Sequence, residues 1–187
     1  VLELQPDFVD AIVLLASVQA SQAQYQDSLD NYTRAIALKP DHPASHSARG
    51  RLLLKLGELT AGWPEYEWRN LEDQSLLASG VDRKPRWQGQ SLEGKTLLVL
   101  PEQGLSDFVM FASCIDDLCK KASHVILVCE HRLQSLLVRS FPSLTTRTTD
   151  QGQFKIDESE YDYYCTLGSL PVYLRLAEAD FARKSAA

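Results

Sequence analysis

The common signatures of small-molecule catalysis are missing from these 187 residues. Neither GxGxxG nor a P-loop is present, so neither familiar phosphate cradle can be assigned. HExxH and a Ser nucleophile elbow are absent as well, which removes those two hydrolytic classes. There is no CxxC among the four cysteines at 114, 119, 129 and 165. Two of them sit in apolar strand-like runs, so the expected state is a buried, reduced thiol. A cytoplasmic setting is expected from such thiols. No apolar run approaches the roughly 20 residues of a membrane helix. Positive charge is also scarce: 19 Lys and Arg face 25 Asp and Glu, a net −6. Phosphate backbones and anionic lipids require clustered cations, so nucleic acid and membrane surfaces are not expected partners.

What is present suffices for packed cores. Hydrophobic residues make up 44%, which excludes wholesale disorder. The length allows one large domain or two small ones.

The first part of the chain repeats itself. With a shift of 34, Leu4-Gln5-Pro6-Asp7 falls on Leu38-Lys39-Pro40-Asp41. Ala16 falls on Gly50, Ser28 on Gly62 and Tyr32 on Tyr66. A period of 34 is the tetratricopeptide repeat length. Small residues belong where antiparallel helices cross closely, and the tyrosines fill gaps between hairpins. Pro40 stops the second helix. Helices are expected near 8–21, 25–38, 44–56 and 58–70. Ile12, Leu15 and Val18 share one face, as do Leu29, Tyr32 and Ile36. Val1–Leu4 occupies the place of Ala35–Leu38, so further repeats are expected upstream. Glu65 and Arg69 are four apart and are expected to pair. His42 and His46 share that spacing, but Pro43 intervenes and no third ligand is near, so no metal is expected. No paired Lys/Arg clamp for carboxylates stands out in the short groove.

From residue 96 onward the pattern changes. Apolar strands are expected at 96–100 and 124–129, with further strands at 144–148 and 161–167. Helices are expected from 107, where Phe108, Phe111, Ile115, Leu118 and Cys119 share a face, and over 132–139 with Leu133, Leu136 and Leu137 inward. A last helix is expected over 170–183. Such alternation means a parallel sheet with crossovers. Residues 101–107 then lie at the carboxyl end of a strand, where open α/β sheets hold ligands.

Four segments add specificity when taken in order: Pro85-Arg86-Trp87-Gln88-Gly89, Gly94-Lys95-Thr96-Leu97-Leu98-Val99, Glu102-Gln103-Gly104-Leu105-Ser106-Asp107, and Tyr161-Asp162 through Ser169-Leu170-Pro171. Behind a 34-residue repeat, this series resembles bacterial proteins in which tetratricopeptide repeats lead into a glycosyltransferase-like domain. That domain is of the GT-B type, two Rossmann-like halves facing across a cleft. The family is similar to heptosyltransferases and, more distantly, to O-linked N-acetylglucosamine transferases. The resemblance spans about residues 1–175. Trp63-Pro64-Glu65-Tyr66-Glu67-Trp68-Arg69 resembles the family's terminal repeat, which docks onto the catalytic domain; a plain capping helix is the other reading.

The resemblance implies an α + α/β fold: repeats over 1–75, a linker over 76–90, and one Rossmann-like half over 91–187. It implies that Glu102, Gln103, Gly104 and Ser106 bind substrate on the acceptor side of the cleft. Asp107 falls where related heptosyltransferases carry a carboxylate proposed as general base. Alternatively Asp107 only complements a helix N-terminus, worth about 0.3–1 kcal/mol. The family usually has Gly where this chain has Ser106. If that backbone needs φ > 0, Ser costs roughly 1 kcal/mol; otherwise Ser106 is an ordinary N-cap. Phe108, Met110 and Ser113-Cys114 also depart from the family's more polar and aromatic residues there. Trp87 is expected to anchor the linker. Asp162 and Ser169 either reach the cleft or, for Ser169, cap a helix.

The donor-holding half is not among these residues, so no cofactor is expected in this chain, and a nucleotide-sugar donor only together with that half. Both ends are expected to continue in the native protein, and the isolated chain is expected to be inactive. The repeats are expected to bind a protein or peptide, with a glycan as another candidate acceptor. The alternative is a non-catalytic interaction scaffold.

Overall fold

The computed structural model describes residues 2–71, 81–102, 104–149 and 154–181. The chain divides into two compact units, Val1–Asp73 with Leu176–Glu178 and Gln74–Arg175 with Ala179–Ala187.

The first unit is two helical hairpins. α1 is Val9–Ser21, α2 Tyr25–Leu38, α3 Pro43–Lys55 and α4 Leu59–Tyr66. Pro43 opens α3 at the one helical position where its missing N–H costs nothing. The first hairpin closes around Ala23 and the second around Gly57, residues 34 apart. Both take a left-handed backbone, with φ 63° and 85°. The next N–H reaches back five residues in each, Gln24 N to Gln19 O and Glu58 N to Leu53 O, both at 2.9 Å. This is the usual closure of a helix on a left-handed residue.

The small residues sit at the helix crossings, as the repeat requires. In the first hairpin the buried Ser28 hydroxyl donates to Ala16 O at 2.7 Å. In the second, a Cβ on Gly50 would lie 2.5 Å from Tyr66 N, and one on Gly62 would lie 2.8 Å from the Leu54 side chain. Ala16, Tyr32, Ala48 and Leu52 form the core, with Val13, Ala20, Tyr25 and Leu29 packed around it.

Three expectations here need correction. Ile12 is fully buried, but Leu15 and Val18 are 40% and 46% exposed, so the apolar face of α1 is only partly covered. The fourth helix stops at Tyr66 and tightens into a 3-10 turn over Glu67–Leu71. Arg69 is the cause. Its buried guanidinium turns back to donate to Tyr66 O and to the Glu67 carboxylate, both at 2.9 Å. Glu65 therefore does not spend its charge on Arg69. It takes Arg49 through Nε at 3.1 Å and Nη2 at 2.8 Å, and His46 Nδ1 at 3.0 Å.

The second unit is built on a four-stranded sheet. β1 is Thr96–Leu100, β2 His124–Glu130, β3 Thr145–Thr149 and β4 Tyr163–Thr166. All pairings are parallel and the order is β3-β2-β1-β4. β1 and β2 are continuous apolar runs because a central parallel strand is covered on both faces. β3 is Thr-Thr-Arg-Thr-Thr and half-buried throughout, as an edge strand can be.

The helices are α5 Leu105–Ala112, α6 Ile115–Cys119, α7 His131–Ser140 and α8 Leu170–Leu174. α7 covers the face that carries Leu127, since Gln134 donates to Thr146, the register partner of Leu127. The other face carries Leu98, Leu100, Ile126 and Val128. Val81, Phe154, Ile156 and Tyr161 pack against it. The segment leading into β4 carries a capping box: Asp157 accepts from Ser159 N, and Glu160 accepts from Asp157 N.

Three helices differ from expectation. The run from 107 through Cys119 is not one helix: it breaks at Ser113-Cys114 into α5 and α6. Leu136 is 44% exposed while Leu137 is buried. α8 lasts five residues rather than fourteen. It ends at Arg175, whose backbone leaves the helical region (φ −147°, ψ 59°) and whose side chain is buried. Arg175 Nε donates to Asp117 at 2.9 Å and Nη2 to Ser113 O at 2.6 Å. Pulling this guanidinium inward is incompatible with another helical turn.

Candidate functional site

In an open parallel sheet the ligand crevice opens at the carboxyl ends of the strands, at the point where the strand order reverses. Here that place lies between β1 and β4. The chain leaving β1 passes through Pro101 and Glu102 into α5, and the chain leaving β4 forms the turn Leu167–Ser169. That turn packs against α5.

The sequence candidates fall on the β1 side of this point. Glu102 is half-buried, and Gly104 and Ser106 are exposed. Gln103 lies outside the described residues. Gly104 is the N-cap of α5 with an extended backbone (φ −85°, ψ 176°), so no left-handed residue is needed. Ser106 is accordingly neither strained nor a cap. It lies inside the first turn, and Ala23 is the non-glycine residue with positive φ among those described.

Asp107 is half-buried in that same first turn. Its carboxylate makes no hydrogen bond or ion pair with the described residues. Its Oδ2 is 3.9 Å from the position a Cβ on Gly104 would take. A carboxylate left open at a helix N-terminus is stabilised by the dipole and stays able to accept a proton from a ligand hydroxyl.

The β4 side holds a group that sequence reasoning passed over. Arg86 forms an isolated parallel bridge with Tyr164. Its Nη2 donates to Ser169 Oγ at 3.0 Å and Thr166 Oγ1 at 3.3 Å, and those two buried hydroxyls lie 2.9 Å apart. Ser169 therefore occupies the N-cap position of α8 without capping it; its hydroxyl is used on Arg86 and Thr166. The signal lies in Pro85-Arg86-Trp87, where the arginine stands beside the more conspicuous tryptophan. Trp87 is an anchor: it is buried, packs on Tyr173 with ring centroids 4.9 Å apart, and donates Nε1 to Gln90 O at 2.8 Å.

Asp162 does not reach the crevice. It precedes β4, at the amino ends of the strands, where Oδ2 accepts Thr96 N at 2.9 Å and Oδ1 accepts Lys95 Nζ at 3.0 Å. The Thr96 N–H and then the Lys95 ammonium hold its carboxyl below the usual range. Lys95 is correspondingly raised. Burial pushes the Cys119 and Cys129 thiols up, which makes both poor nucleophiles.

A cavity of about 510 Å³ lies at the amino ends of β1 and β2, bounded by Trp87, Leu92, Lys120, Lys121, Ser123 and Tyr173. It is at the opposite end of the sheet from Asp107. No cluster of metal-ligating side chains occurs among the described residues. His46 is absorbed in packing, stacked on Trp68 with ring centroids 3.9 Å apart and with Nε2 donating to Pro40 O at 2.9 Å. No described helix is long and apolar enough to cross a membrane.

The class these features define is a helical-hairpin unit joined in one chain to a parallel α/β unit. No family model matches the chain. It is similar to Protein FlbA of Caulobacter vibrioides, with 29% identity over 202 positions covering 99% of this chain and 34% of that protein. The chain thus spans about a third of the length of the curated relative it matches. It is also similar to a mutant O-GlcNAc transferase of Thermobaculum terrenum, at 15% identity and a TM-score of 0.36, covering 86% of this chain and 37% of that one.

Proposed function

We propose that this chain is the repeat-bearing, acceptor-side part of a glycosyltransferase-like protein. The hairpins are tetratricopeptide repeats that recruit a protein or glycan acceptor. The α/β unit forms one wall of the cleft. The observation that carries this reading is Asp107: an open, half-buried carboxylate on the first turn of α5, at the carboxyl end of β1. A site-building residue is commonly found where Asp107 stands in open α/β sheets. The ordered resemblance of the four motifs supports the same assignment.

In this reading Asp107 takes the proton from an acceptor hydroxyl as the hydroxyl oxygen attacks the anomeric carbon of the donor sugar. The nucleotide leaves with the electrons of the broken glycosidic bond. Glu102, Gly104 and Ser106 line the approach, and Gln103 belongs to the same loop. A second α/β half would hold the nucleotide-sugar, and closure of the two would exclude water.

The test uses the whole protein. It is incubated with nucleotide-sugars, and donor consumption is compared with that of Asp107→Asn. A positioned base contributes about 10²–10⁴-fold, and a loss of that size is expected. Undiminished turnover in Asp107→Asn removes Asp107 from the mechanism. Absence of turnover in the whole wild-type protein, with intact folding, favours a scaffold.

A further inference from the structure

The cavity at the amino ends of β1 and β2 is a place apart from the crevice beside Asp107. Its volume of about 510 Å³ lies within the roughly 300–1,000 Å³ of small-molecule sites. Two segments line it, 89–93 and 120–123, together with Trp87 and with Tyr173 of α8. The segments are tied together by Gly94 N donating to Ser123 Oγ at 2.7 Å and Ser123 N donating to Leu92 O at 3.2 Å. Leu92, which is buried, and the half-buried Tyr173 ring give the cavity an apolar side. The chain passes close to that ring at Gly89, where φ is 89° and an added Cβ would stand 3.0 Å from Tyr173 Cδ1.

The polar side chains of the lining share a bias. Their oxygens already serve backbone N–H groups. Gln90 Oε1 accepts Gln88 N at 2.7 Å, Ser91 Oγ accepts Glu93 N at 3.3 Å, and Ser123 Oγ accepts Gly94 N at 2.7 Å. Holding the Gln90 oxygen in this way leaves its NH2 with two protons to give. The Ser91 and Ser123 hydroxyls donate to none of the described residues, so each keeps its proton for a ligand. The Lys121 ammonium makes no hydrogen bond or ion pair with the described residues, whereas Lys120 is held by Asp116 at 3.0 Å. Four side chains thus offer donors to one cavity, and one of them is a cation. The carboxylate of the lining, Glu93, is likewise without a partner among the described residues.

We infer that this cavity binds a small phosphate monoester that carries hydroxyl groups. The phosphoryl oxygens take the protons of Lys121, Gln90, Ser91 and Ser123. Three acceptor oxygens match an ammonium and three neutral donors better than the two of a carboxylate. The cavity is far larger than a bare phosphate ion, so the rest of the ligand fills it: Glu93 accepts a hydroxyl, and an apolar face of the body lies on Tyr173 and Leu92. The site is separate from the transferase reading and survives its failure.

The test is a heteronuclear NMR titration of the full chain with glucose 6-phosphate. The comparison ligands are glucose, glucuronate (a carboxylate on the same ring carbon) and inorganic phosphate. Glucose 6-phosphate is expected to shift the amides of 89–93 and 120–123, to bind at least about tenfold more tightly than each comparison ligand, and to weaken as salt rises. Lys121→Glu is expected to lower its affinity at least about tenfold. Lys155→Glu, the same charge change outside the lining, is expected to bind as wild type. Both lysines are exposed, so circular dichroism should show both variants folded. No binding of glucose 6-phosphate, shifts confined to other segments, equal binding of any comparison ligand, or undiminished binding by Lys121→Glu overturns the inference. None of these outcomes touches the transferase reading, because donor turnover is measured separately and Asp107 lies at the other end of the sheet.

Discussion

Replacing Gly50 by Ala tests how closely the second hairpin is packed. Two effects oppose one another. Ala is the better helix residue by about 0.8–1.0 kcal/mol in a helix interior. Against this, the new Cβ would stand 2.5 Å from Tyr66 N, 2.8 Å from Glu65 C and 2.9 Å from Tyr66 Cα. All three are backbone atoms, so no side-chain rotation relieves the overlap. α3 and α4 must move apart, which loosens Gly62 against Leu54 and the Arg49–Glu65 pair. Overpacking of this sort costs about 1–3 kcal/mol, and the backbone contacts place it in the upper half. The first hairpin sets a ceiling on the cost, because it holds Ala16 at the equivalent position and is still closed by Ser28. A net loss of about 1–2 kcal/mol follows, from the overpacking cost less the propensity gain. The assay is amide hydrogen exchange by mass spectrometry, read separately on peptides from residues 9–38 and 43–71. Protection should fall in the second hairpin with less change in the first. A variant with protection equal to or above wild type would refute the argument, because propensity alone would then decide.

Two further outcomes follow from the same kind of accounting. Ala23 carries a left-handed backbone at φ 63° where its repeat partner is Gly57. Relief of about 1–2 kcal/mol of strain outweighs the roughly 0.5–1 kcal/mol entropic cost of glycine, so Ala23→Gly should raise the urea midpoint; a lowered midpoint would contradict this. Asp162→Asn should destabilise the α/β unit in a pH-dependent way. The folded carboxyl is held below its unfolded value by Thr96 N–H and Lys95. Its contribution is therefore complete above the unfolded value of about 3.9 and fades as pH falls through the folded one. The midpoint gap between wild type and variant should be full at neutral pH and narrow as pH falls below the unfolded value and through the folded one, and a constant gap would remove the charge from the explanation.

Much of the fold was legible because it is written in periods. The 34-residue shift placed α2 to the residue and located both close crossings, since only small side chains survive there. β1 was legible because a strand buried on both faces is a short, unbroken apolar run. Errors came where a buried charge overrides the pattern. Arg69 and Arg175 each sit in apparently helical sequence, yet each turns its guanidinium inward and ends the helix. Periodicity reads such a residue as a polar position on a solvent face. The Glu65 pairing failed for a related reason: spacing along one helix predicts local partners, and a neighbouring helix supplied better ones in Arg49 and His46.

The candidate site divides along the same line. What depended on chain adjacency, the loop from Glu102 to Asp107 beginning a helix after β1, was readable. What depended on which end of the sheet a residue occupies was not. Asp162 and Ser169 are seven residues apart, about the length of β4 and its turn, so they lie at opposite ends of that strand. A motif that quotes both as one segment blurs this distinction, and parallel strands make it decisive, since ligands gather at carboxyl ends. Asp162 is thereby committed to bracing Lys95 and Thr96, while Ser169 joins Arg86 and Thr166 beside the turn that packs on α5. An acid already satisfied by a backbone N–H and an ammonium has little capacity to take up another proton. Asp107 has no such partner among the described residues, and that difference, more than its place in a motif, makes it the carboxylate to remove first.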